Sequence, residues 1–289
     1  MHRRSFLQRL IAAAAMMPLA ARTQTGGLPR SEPVPGGVAL VALGPADLPP
    51  LAWFDGARVL VAGDSSGWLA VVGIPLGTRP GNAPPLTVER ASGVAESIAL
   101  LVGPKRYATQ RLTVKPGQVD LSPEDLARYE RERAHLQNVR RTFTESAPES
   151  LLLVQPCEGP RSDSFGKRRF FNDRPRNPHN GLDIAAPLGT PVIAAGGGEV
   201  IDVGDYFFSG QTVVLNHGQG FLTLYAHLSR TSVAAGERIA AATPIGEVGA
   251  TGRVTGPHLH FGVFLNAAKA VEAEGRVGVR VSSDGTHLT

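Results

Sequence analysis

Five of the eight histidines of this chain lie between residues 179 and 260. Two of them form the segment His258-Leu259-His260, and side chains two residues apart on a strand point to the same face. The alternating positions, Leu259 and Phe261, are apolar and would face the opposite side. The pattern predicts two imidazoles presented together from a strand whose back is buried.

A second strand is predicted over Phe221–His227. On a regular strand Thr223, Tyr225 and His227 share one face, while the intervening apolar residues share the other. His227 would come at the end of this strand, where the rim of a site is expected.

His179 and Asp183 require a bend in the chain between them. On a straight strand they would stand about 13 Å apart, whereas two ligands of one zinc ion lie within about 4 Å at their donor atoms. Pro178 and Gly181 oppose a helix here. We therefore predict a bend at Asn180-Gly181, a pair that readily adopts positive φ.

An imidazole, a carboxylate and a further imidazole form a typical catalytic zinc set, with the fourth position left for water. Each histidine alone is more often a partly buried, hydrogen-bonded strand residue, so the conjunction in one domain, together with the flanking sequence, is what indicates a site. We interpret His217 as a structural residue of a turn. His135 lies on a predicted helix, and His2 and His287 lie near the ends of the chain, so none of the three is a candidate.

Composition predicts a mainly β fold of two domains. The 289 residues, about twice one ordinary domain, include 34 glycines and 23 prolines, which interrupt helices. The 42% hydrophobic content excludes wholesale disorder. A single cysteine, Cys157, excludes an intrachain disulfide. The net charge of +4 does not by itself indicate a nucleic-acid binder, and no nucleic-acid partner is expected.

The elements that must position these residues fall into three pieces. Residues 34–117 are predicted to form an N-terminal β-sandwich, because short β-prone runs alternate with turn residues. A connecting helix is predicted over residues 122–145, ending near Phe143, with a capping serine, a proline in its first turn and apolar residues on one face. A C-terminal β domain is predicted over residues 150–268, followed by an unmatched tail, residues 269–289.

Residues 1–25 are predicted to be a signal peptide. A short basic segment precedes an uncharged run, Leu10–Ala21, of 12 residues, where a bilayer span needs about 20. No stable membrane span is therefore expected. Arg3-Arg4 also resembles the start of a twin-arginine signal, and the sequence leaves this and an ordinary signal open. The sequence therefore predicts that the protein is exported, to the periplasm or else to the exterior or the cell wall.

The C-terminal stretch resembles the lysostaphin-type, or LytM-like, zinc endopeptidases that cut peptidoglycan peptides (metallopeptidase family twenty-three). The resemblance runs from about Ser164 to Asn266. It rests on these segments: Phe165-Gly166-Lys167-Arg168, His179-Asn180-Gly181-Leu182-Asp183-Ile184, Tyr225-Ala226-His227-Leu228-Ser229 and Thr255-Gly256-Pro257-His258-Leu259-His260-Phe261. The first domain is similar to the β-rich domain that often precedes such enzymes.

The resemblance implies a lysostaphin-type β domain with an open groove that holds one Zn²⁺ ion per chain. Its ligands would be His179, Asp183 and His260. His227 and His258 would be the catalytic pair, with the base and the acid unassigned between them. The expected reaction is hydrolysis of amide bonds in peptidoglycan peptide cross-links, of the D-alanyl–diaminopimelate type if the setting is periplasmic.

Two other hypotheses remain open. A non-catalytic regulator of cell-wall amidases could be built on the same fold, although such relatives have typically lost metal ligands and this chain has residues of the expected type at all five positions. The N-terminal domain could also cover the groove and make the full chain a latent enzyme. Protein partners are unknown.

One segment departs from the family pattern, and another is strongly basic. After Asn266 the chain lacks the expected Asp-Pro or Asn-Pro step, which puts the last strand in doubt. Lys167–Arg176 carries five basic residues and one acid. It is either a solvated loop or a rim that attracts carboxylates of stem peptides or anionic wall polymers.

Overall fold

The computed structural model describes residues 27–113 and 121–267. The predicted signal peptide, residues 1–25, and the tail, residues 269–289, lie outside the described residues and stay predictions. The described part has one helix and eighteen strands, which confirms the mainly β fold class. This helix is not both long and apolar enough to cross a membrane.

The N-terminal part consists of two small antiparallel sheets that share one apolar core. Their strands are β1 (Val38–Gly44), β2 (Leu51–Phe54), β3 (Ala57–Arg58), β4 (Leu60–Asp64), β5 (Gly67–Gly73), β6 (Leu86–Glu89) and β7 (Ala95–Ile98). The strand orders are β1-β5-β4 and β3-β2-β6-β7. Ala39 and Val72 of the first sheet pack in the same buried cluster as Phe54 and Val88 of the second. This is the predicted β-sandwich.

After the sandwich comes strand β8 (Thr109–Leu112), and helix α1 (Pro123–Arg140) follows. The Ser122 side chain accepts a hydrogen bond from the Asp125 backbone N–H at 3.1 Å and so caps the first turn, as predicted. The helix ends three residues before Phe143, because the backbone N–H of Arg141 turns back to a carbonyl three residues earlier.

Polar contacts hold much of α1 on the sheet. No residue of α1 is buried, and Leu126, on the predicted apolar face, is 44% exposed. Val139 packs against an apolar cluster on one face of the sheet. His135 Nε2 lies 2.8 Å from Asp202 Oδ1, and Glu132 accepts a hydrogen bond from a backbone N–H at 2.7 Å. The predicted apolar face is therefore used only in part.

The C-terminal domain is built on an eight-stranded antiparallel sheet. The strands of this part of the chain are β9 (Arg168–Phe171), β10 (Arg174–Pro175), β11 (Leu182–Ile184), β12 (Pro191–Ile193), β13 (Gly198–Tyr206), β14 (Gly210–Gly218), β15 (Phe221–Thr231), β16 (Arg238–Ile239), β17 (Pro244–Val248) and β18 (Leu259–Phe264). The order in the eight-stranded sheet is β11-β18-β15-β14-β13-β16, with β17 pairing both β15 and β12. Leu259, Phe261 and Val263 are buried on the core face, as the alternation predicts.

The two domains share an apolar core. Val38 and Leu60 of the sandwich belong to the same buried cluster as Leu182 and Phe261 of the C-terminal sheet. The side-chain amide of Asn266 accepts from the Gly73 backbone N–H at 2.6 Å and donates to the Gly73 carbonyl at 3.0 Å. Strand β8 pairs with β9 in parallel, so a strand that follows the sandwich joins the C-terminal domain.

Candidate metal centre and catalytic groove

Strand pairing brings Asp183 and His260 together. They stand directly opposite each other in the antiparallel pair of β11 and β18, so their side chains share one face. His179 reaches the same place from the segment before β11. Neither Asn180 nor Gly181 has a positive φ, so the predicted cause of the bend is wrong.

Gly181 is required for a different reason, which is the close approach of the His260 ring. A Cβ atom at residue 181 would lie 2.5 Å from His260 Cε1 and Nε2 and 2.8 Å from the Phe261 carbonyl oxygen. Only a residue without a Cβ lets the backbone pass this close to the imidazole.

The donor atoms of His179, Asp183 and His260 form a nearly equilateral triangle. His179 Nε2 lies 3.1 Å from Asp183 Oδ1 and 3.1 Å from His260 Nδ1, and His260 Nδ1 lies 2.9 Å from Asp183 Oδ1. A tetrahedral zinc ion with bonds of about 2.0–2.1 Å separates its ligand atoms by about 3.4 Å. The triangle fits one face of such a site, and its two nitrogens and one oxygen are donors that zinc accepts.

A buried hydroxyl orients two of these side chains. Ser164 Oγ lies 2.8 Å from His179 Nδ1 and 3.4 Å from Asp183 Oδ2. With Nδ1 bonded to the serine, Nε2 of His179 is the nitrogen that faces the cluster. No sequence pattern predicted a role for Ser164, which only begins the stretch that resembles the family.

The charge states suit metal binding. Burial lowers the pKa of His179 to about 4, although its hydrogen bond with Asp183 opposes this. Burial raises the pKa of Asp183, but hydrogen bonds from His179 and His260 outweigh burial and hold that pKa well below its usual range. His179 is therefore neutral and Asp183 ionised near neutral pH, which are the forms that coordinate a metal.

His227 does not sit at the end of its strand, because β15 continues to Thr231. Its φ is 65°, a left-handed value that non-glycine residues rarely adopt, and its backbone N–H bonds to the Ser209 carbonyl at 2.8 Å. The pairing register of β15 shifts around this residue.

This break changes the face to which His227 points. Ala226 stands directly opposite His260, so regular alternation would place His227 on the other face, with Tyr225 in the core. His227 instead lines the same groove as His260. The prediction that Thr223, Tyr225 and His227 share one face is wrong, although His227 does reach the site.

His227 and His258 stand side by side next to the triangle. Their ring centroids are 4.8 Å apart, and His258 Nε2 lies 3.9 Å from Asp183 Oδ1. His227 Nδ1 lies 2.9 Å from the Thr251 carbonyl oxygen and His258 Nδ1 lies 2.9 Å from the Gly256 carbonyl oxygen. Because a carbonyl oxygen only accepts, each ring donates through Nδ1, and a neutral ring then has Nε2 as its acceptor.

Burial lowers the pKa of His227 to about 3, and the neighbouring His260 contributes to the same shift. His227 is therefore neutral near pH 7. His258 comes one residue before β18, joined to Gly249 by an isolated bridge. All five predicted site residues line one groove of about 400 Å³.

Several other residues line this groove. Gln110, on β8, stands opposite Arg169, on β9, and Arg253 lies in the turn before His258. Arg169 belongs to the stretch that the sequence marks as basic, whereas no sequence pattern predicted a role for Arg253. No feature of the sequence near Gln110 indicates that this residue lies in the groove, because only the pairing of β8 with β9 brings it there.

The other histidines of the described residues lie elsewhere. His217 Nδ1 is 2.7 Å from the Gly197 carbonyl oxygen and its Nε2 is 2.8 Å from Thr223 Oγ1. Both contacts are internal to the core, in keeping with a structural role. His135 lies on α1, outside the groove.

Comparison with known proteins identifies the family. Residues 31–105 match the sequence profile of the Peptidase family M23 N-terminal domain, and residues 177–273 match that of Peptidase family M23. The solved structure of a peptidase M23 from Pseudomonas aeruginosa is 43% identical, with a TM-score of 0.70, and the match covers 83% of this chain and 93% of that one. The chain belongs to peptidase family M23. The M23 match contains all five predicted site residues and runs beyond Asn266, where a departure from the family was expected.

Curated relatives match over shorter regions. Peptidoglycan DD-endopeptidase ShyA of Vibrio cholerae is 42% identical over 115 residues, which are 38% of this chain and 27% of that protein. DD-carboxypeptidase/endopeptidase Mpg of Neisseria meningitidis is 47% identical over 88 residues, which are 30% of this chain and 20% of that protein. The matches therefore span about a quarter or less of these relatives.

Proposed function

We propose that this M23 chain is an exported, zinc-dependent endopeptidase that hydrolyses peptide cross-links of peptidoglycan. The observation that carries the proposal is the triangle of His179, Asp183 and His260 donor atoms with two further imidazoles beside it. The names of the relatives support the substrate class. The D-alanyl–diaminopimelate bond and a periplasmic location are the finer parts of the proposal.

In this proposal His179, Asp183 and His260 hold one zinc ion. When bound, zinc lowers the pKa of a coordinated water toward neutrality and polarises the substrate carbonyl. Asp183 and the neutral His179 are already in the protonation states that ligation requires. The Ser164 hydroxyl keeps Nε2 of His179 directed at the site.

His227 and His258 manage protons and charge in this mechanism. Backbone carbonyls fix the Nδ1 proton of each ring, so each presents Nε2 as an acceptor. One imidazole accepts a proton from the attacking water. The other, once protonated, stabilises the oxyanion or donates to the leaving amine. Either of the two histidines can take either role in this mechanism.

The test is to measure zinc content and muropeptide cleavage on the same preparations. We expect one zinc per chain in the mature protein, loss of zinc and cleavage in His260→Ala, and loss of cleavage with zinc retained in His258→Ala. His135→Ala, which removes a half-exposed imidazole outside the groove, is the matched control. Zinc without cleavage of any muropeptide would contradict the proposed activity.

The non-catalytic regulator remains the second hypothesis. It predicts no turnover, and activation of a wall amidase instead. The complete set of five side chains, gathered within one groove, favours an enzyme. A preparation with neither zinc nor cleavage would favour the regulator.

Latency of the full chain is also testable. Gln110 Oε1 is buried, lines the groove and has no hydrogen-bond partner among the described residues. If β8 partly closes the groove, Gln110→Ala should cleave muropeptides faster than the unaltered chain. An equal or lower rate would remove the hypothesis. The substitution is preferable to a fragment of residues 150–289, because the two domains share a core.

A further inference from the structure

A second cleft adjoins the groove of the proposed metal site and runs beneath helix α1. It has a volume of about 590 Å³ and lies between α1, the C-terminal sheet and the loop that follows β5. Four lining residues are common to the groove and this second cleft, namely Asn180, Phe208, Ser209 and His260. The two cavities therefore meet at a proposed metal ligand.

Strands β18 and β15 form the floor of the second cleft. His260 and Phe264 lie four residues apart on β18, on the face opposite to the buried core residues of that strand, so their side chains point the same way. At about 3.4 Å per residue, the two positions are about 13 Å apart. Gly262 stands between them, paired with Leu224 of β15. The floor therefore leads from the proposed metal ligand to the ring of Phe264.

One face of α1 forms the roof of the second cleft. The residues of this face follow helical spacing and all line the cleft; they are Tyr129, Arg133, Leu136, Gln137 and Arg140. No residue of α1 is buried, and polar contacts hold much of the helix on the sheet. The helix therefore covers the cleft without filling it.

Arg140 faces the second cleft without an acidic partner. Its Cζ atom lies 5.3 Å from the ring centroid of Phe264, and its Nε atom is buried with no hydrogen-bond partner among the described residues. Glu132 is the one acid among the described residues that line the cleft. Its two oxygens accept hydrogen bonds from Arg128 Nε at 2.6 Å and from the Phe207 backbone N–H at 2.7 Å. The cleft therefore presents a positive charge that no lining carboxylate neutralises.

We propose that the second cleft is a subsite for the stem peptide of the substrate, in which Arg140 binds a free carboxylate roughly 10–15 Å from the scissile amide. This inference rests on the proposed function and specifies its substrate. A guanidinium binds a carboxylate through paired, charge-assisted hydrogen bonds. Leu136 and Phe264 supply apolar surface for the uncharged part of an extended peptide.

The stem peptide carries a carboxylate at this distance. Its glutamate is linked to the next residue through the side-chain carboxyl, so the α-carboxylate stays free. The diaminopimelate and the D-alanine separate this glutamate from the scissile carbonyl. Two extended residues span about 7 Å, and the glutamate side chain adds about 5 Å, so the carboxylate lies about 12 Å from the reacting bond. The distance from His260 to Phe264 therefore matches the glutamate α-carboxylate.

The test uses two synthetic cross-linked peptides that differ only at this glutamate, one with the free α-carboxylate and one with a carboxamide. We expect the zinc-loaded full chain to cleave the carboxylate peptide with kcat/KM about 10- to 100-fold higher, the range for hydrogen bonds to charged groups. Arg140→Met keeps an apolar chain on Phe264 and should abolish this preference, mainly through KM, with zinc content and cleavage of the carboxamide peptide unchanged. Arg140→Lys should restore part of the preference.

Arg141→Met is the matched control, because it removes the same charge at the same end of the helix from an exposed side chain outside the second cleft. It should keep the full preference, and an equal loss in Arg141→Met would assign the effect to net charge and remove the subsite. Equal cleavage of the two peptides by the unaltered chain would also overturn the subsite and leave the proposed function standing. That comparison needs no variant to fold.

Binding separates the two ideas if no cleavage occurs. Calorimetric titration of both peptides into zinc-loaded His258→Ala should show tighter binding of the carboxylate form, and the double variant His258→Ala/Arg140→Met should lose the difference. That result without any turnover in the unaltered chain would remove the endopeptidase and retain the subsite. Equal binding of the two peptides would remove the subsite.

Discussion

Ser164 links two of the proposed zinc ligands, and its removal is the sharpest test of the metal site. Its Oγ atom lies 2.8 Å from His179 Nδ1 and 3.4 Å from Asp183 Oδ2. When His179 is neutral and directs Nε2 at the metal, Nδ1–H donates to the serine oxygen, and the hydroxyl proton is available to Asp183. Ser164→Ala removes both interactions, together with the 2.6 Å contact between the Ser164 and Ser162 hydroxyls, and adds no bulk.

The magnitude follows from burial. Ser164 is 6% exposed and His179 is 5% exposed, so water cannot replace the lost partner without a rearrangement. A buried donor left unsatisfied costs about 1–3 kcal/mol, and about 1.4 kcal/mol is tenfold in an equilibrium constant. We expect zinc to bind about 10- to 100-fold more weakly, the same range as for other groups that orient metal ligands.

The assay is competition for zinc against a chromogenic chelator, with each protein's circular dichroism recorded in parallel. Ser229→Ala is the matched control, because its hydroxyl makes one long contact, 3.4 Å to the Glu247 carbonyl oxygen, away from the ligands. A zinc dissociation constant for Ser164→Ala within twofold of the unaltered protein, with the fold intact, would refute the reasoning.

Three further predictions test the ligand geometry, the domain interface and the core. Gly181→Ala should weaken zinc binding without removing a ligand, because the new Cβ would lie 2.5 Å from the His260 ring; unchanged affinity in the same competition assay would contradict this. Asn266→Ala leaves the buried N–H and carbonyl of Gly73 without their partner, so the free energy of unfolding in urea should fall by about 2–5 kcal/mol, and an unchanged midpoint would exclude that role. Burial lowers the pKa of His217 to about 4, so the unfolded chain, with a histidine pKa of about 6.5, takes up the proton first as the pH falls. The contribution of neutral, buried His217 to the free energy of unfolding is complete above about pH 6.5 and declines toward pH 4, by at most about 3 kcal/mol. His217→Gln should therefore flatten the dependence of the urea midpoint between pH 7 and pH 5, and an unaltered slope would count against it.

Part of the candidate site follows from local sequence rules. Leu259 and Phe261 are apolar and alternate with His258 and His260, and the structure buries them on the core face. The need for a close approach of His179 to Asp183 could be deduced from ligand distances, although the reason for the intervening glycine could not. That reason is the His260 ring, which is 79 residues away from Gly181 in the sequence.

The remaining walls of the groove depend on pairing between distant strands. The sequence around Gln110 predicts a short strand, but no residue there indicates that its partner is β9. The parallel pairing of β8 with β9 places Gln110 beside Arg169. Through this pairing, a strand that comes after the sandwich in the sequence becomes part of the groove. Long-range pairing of this kind is set by the packed core as a whole, which a scan of local periodicity does not contain.

His227 shows how a local rule can fail at a functional position. Regular alternation along β15 would turn its ring into the core beside Tyr225, on the face opposite His260. The φ of 65° reverses that direction, at a cost of about 1–3 kcal/mol for a non-glycine residue. Two hydrogen bonds hold the residue there, one from its backbone N–H to Ser209 and one from Nδ1 to Thr251. A glycine would adopt this backbone without strain, so a histidine at this position is explained by what its imidazole does in the groove and not by the stability of the strand.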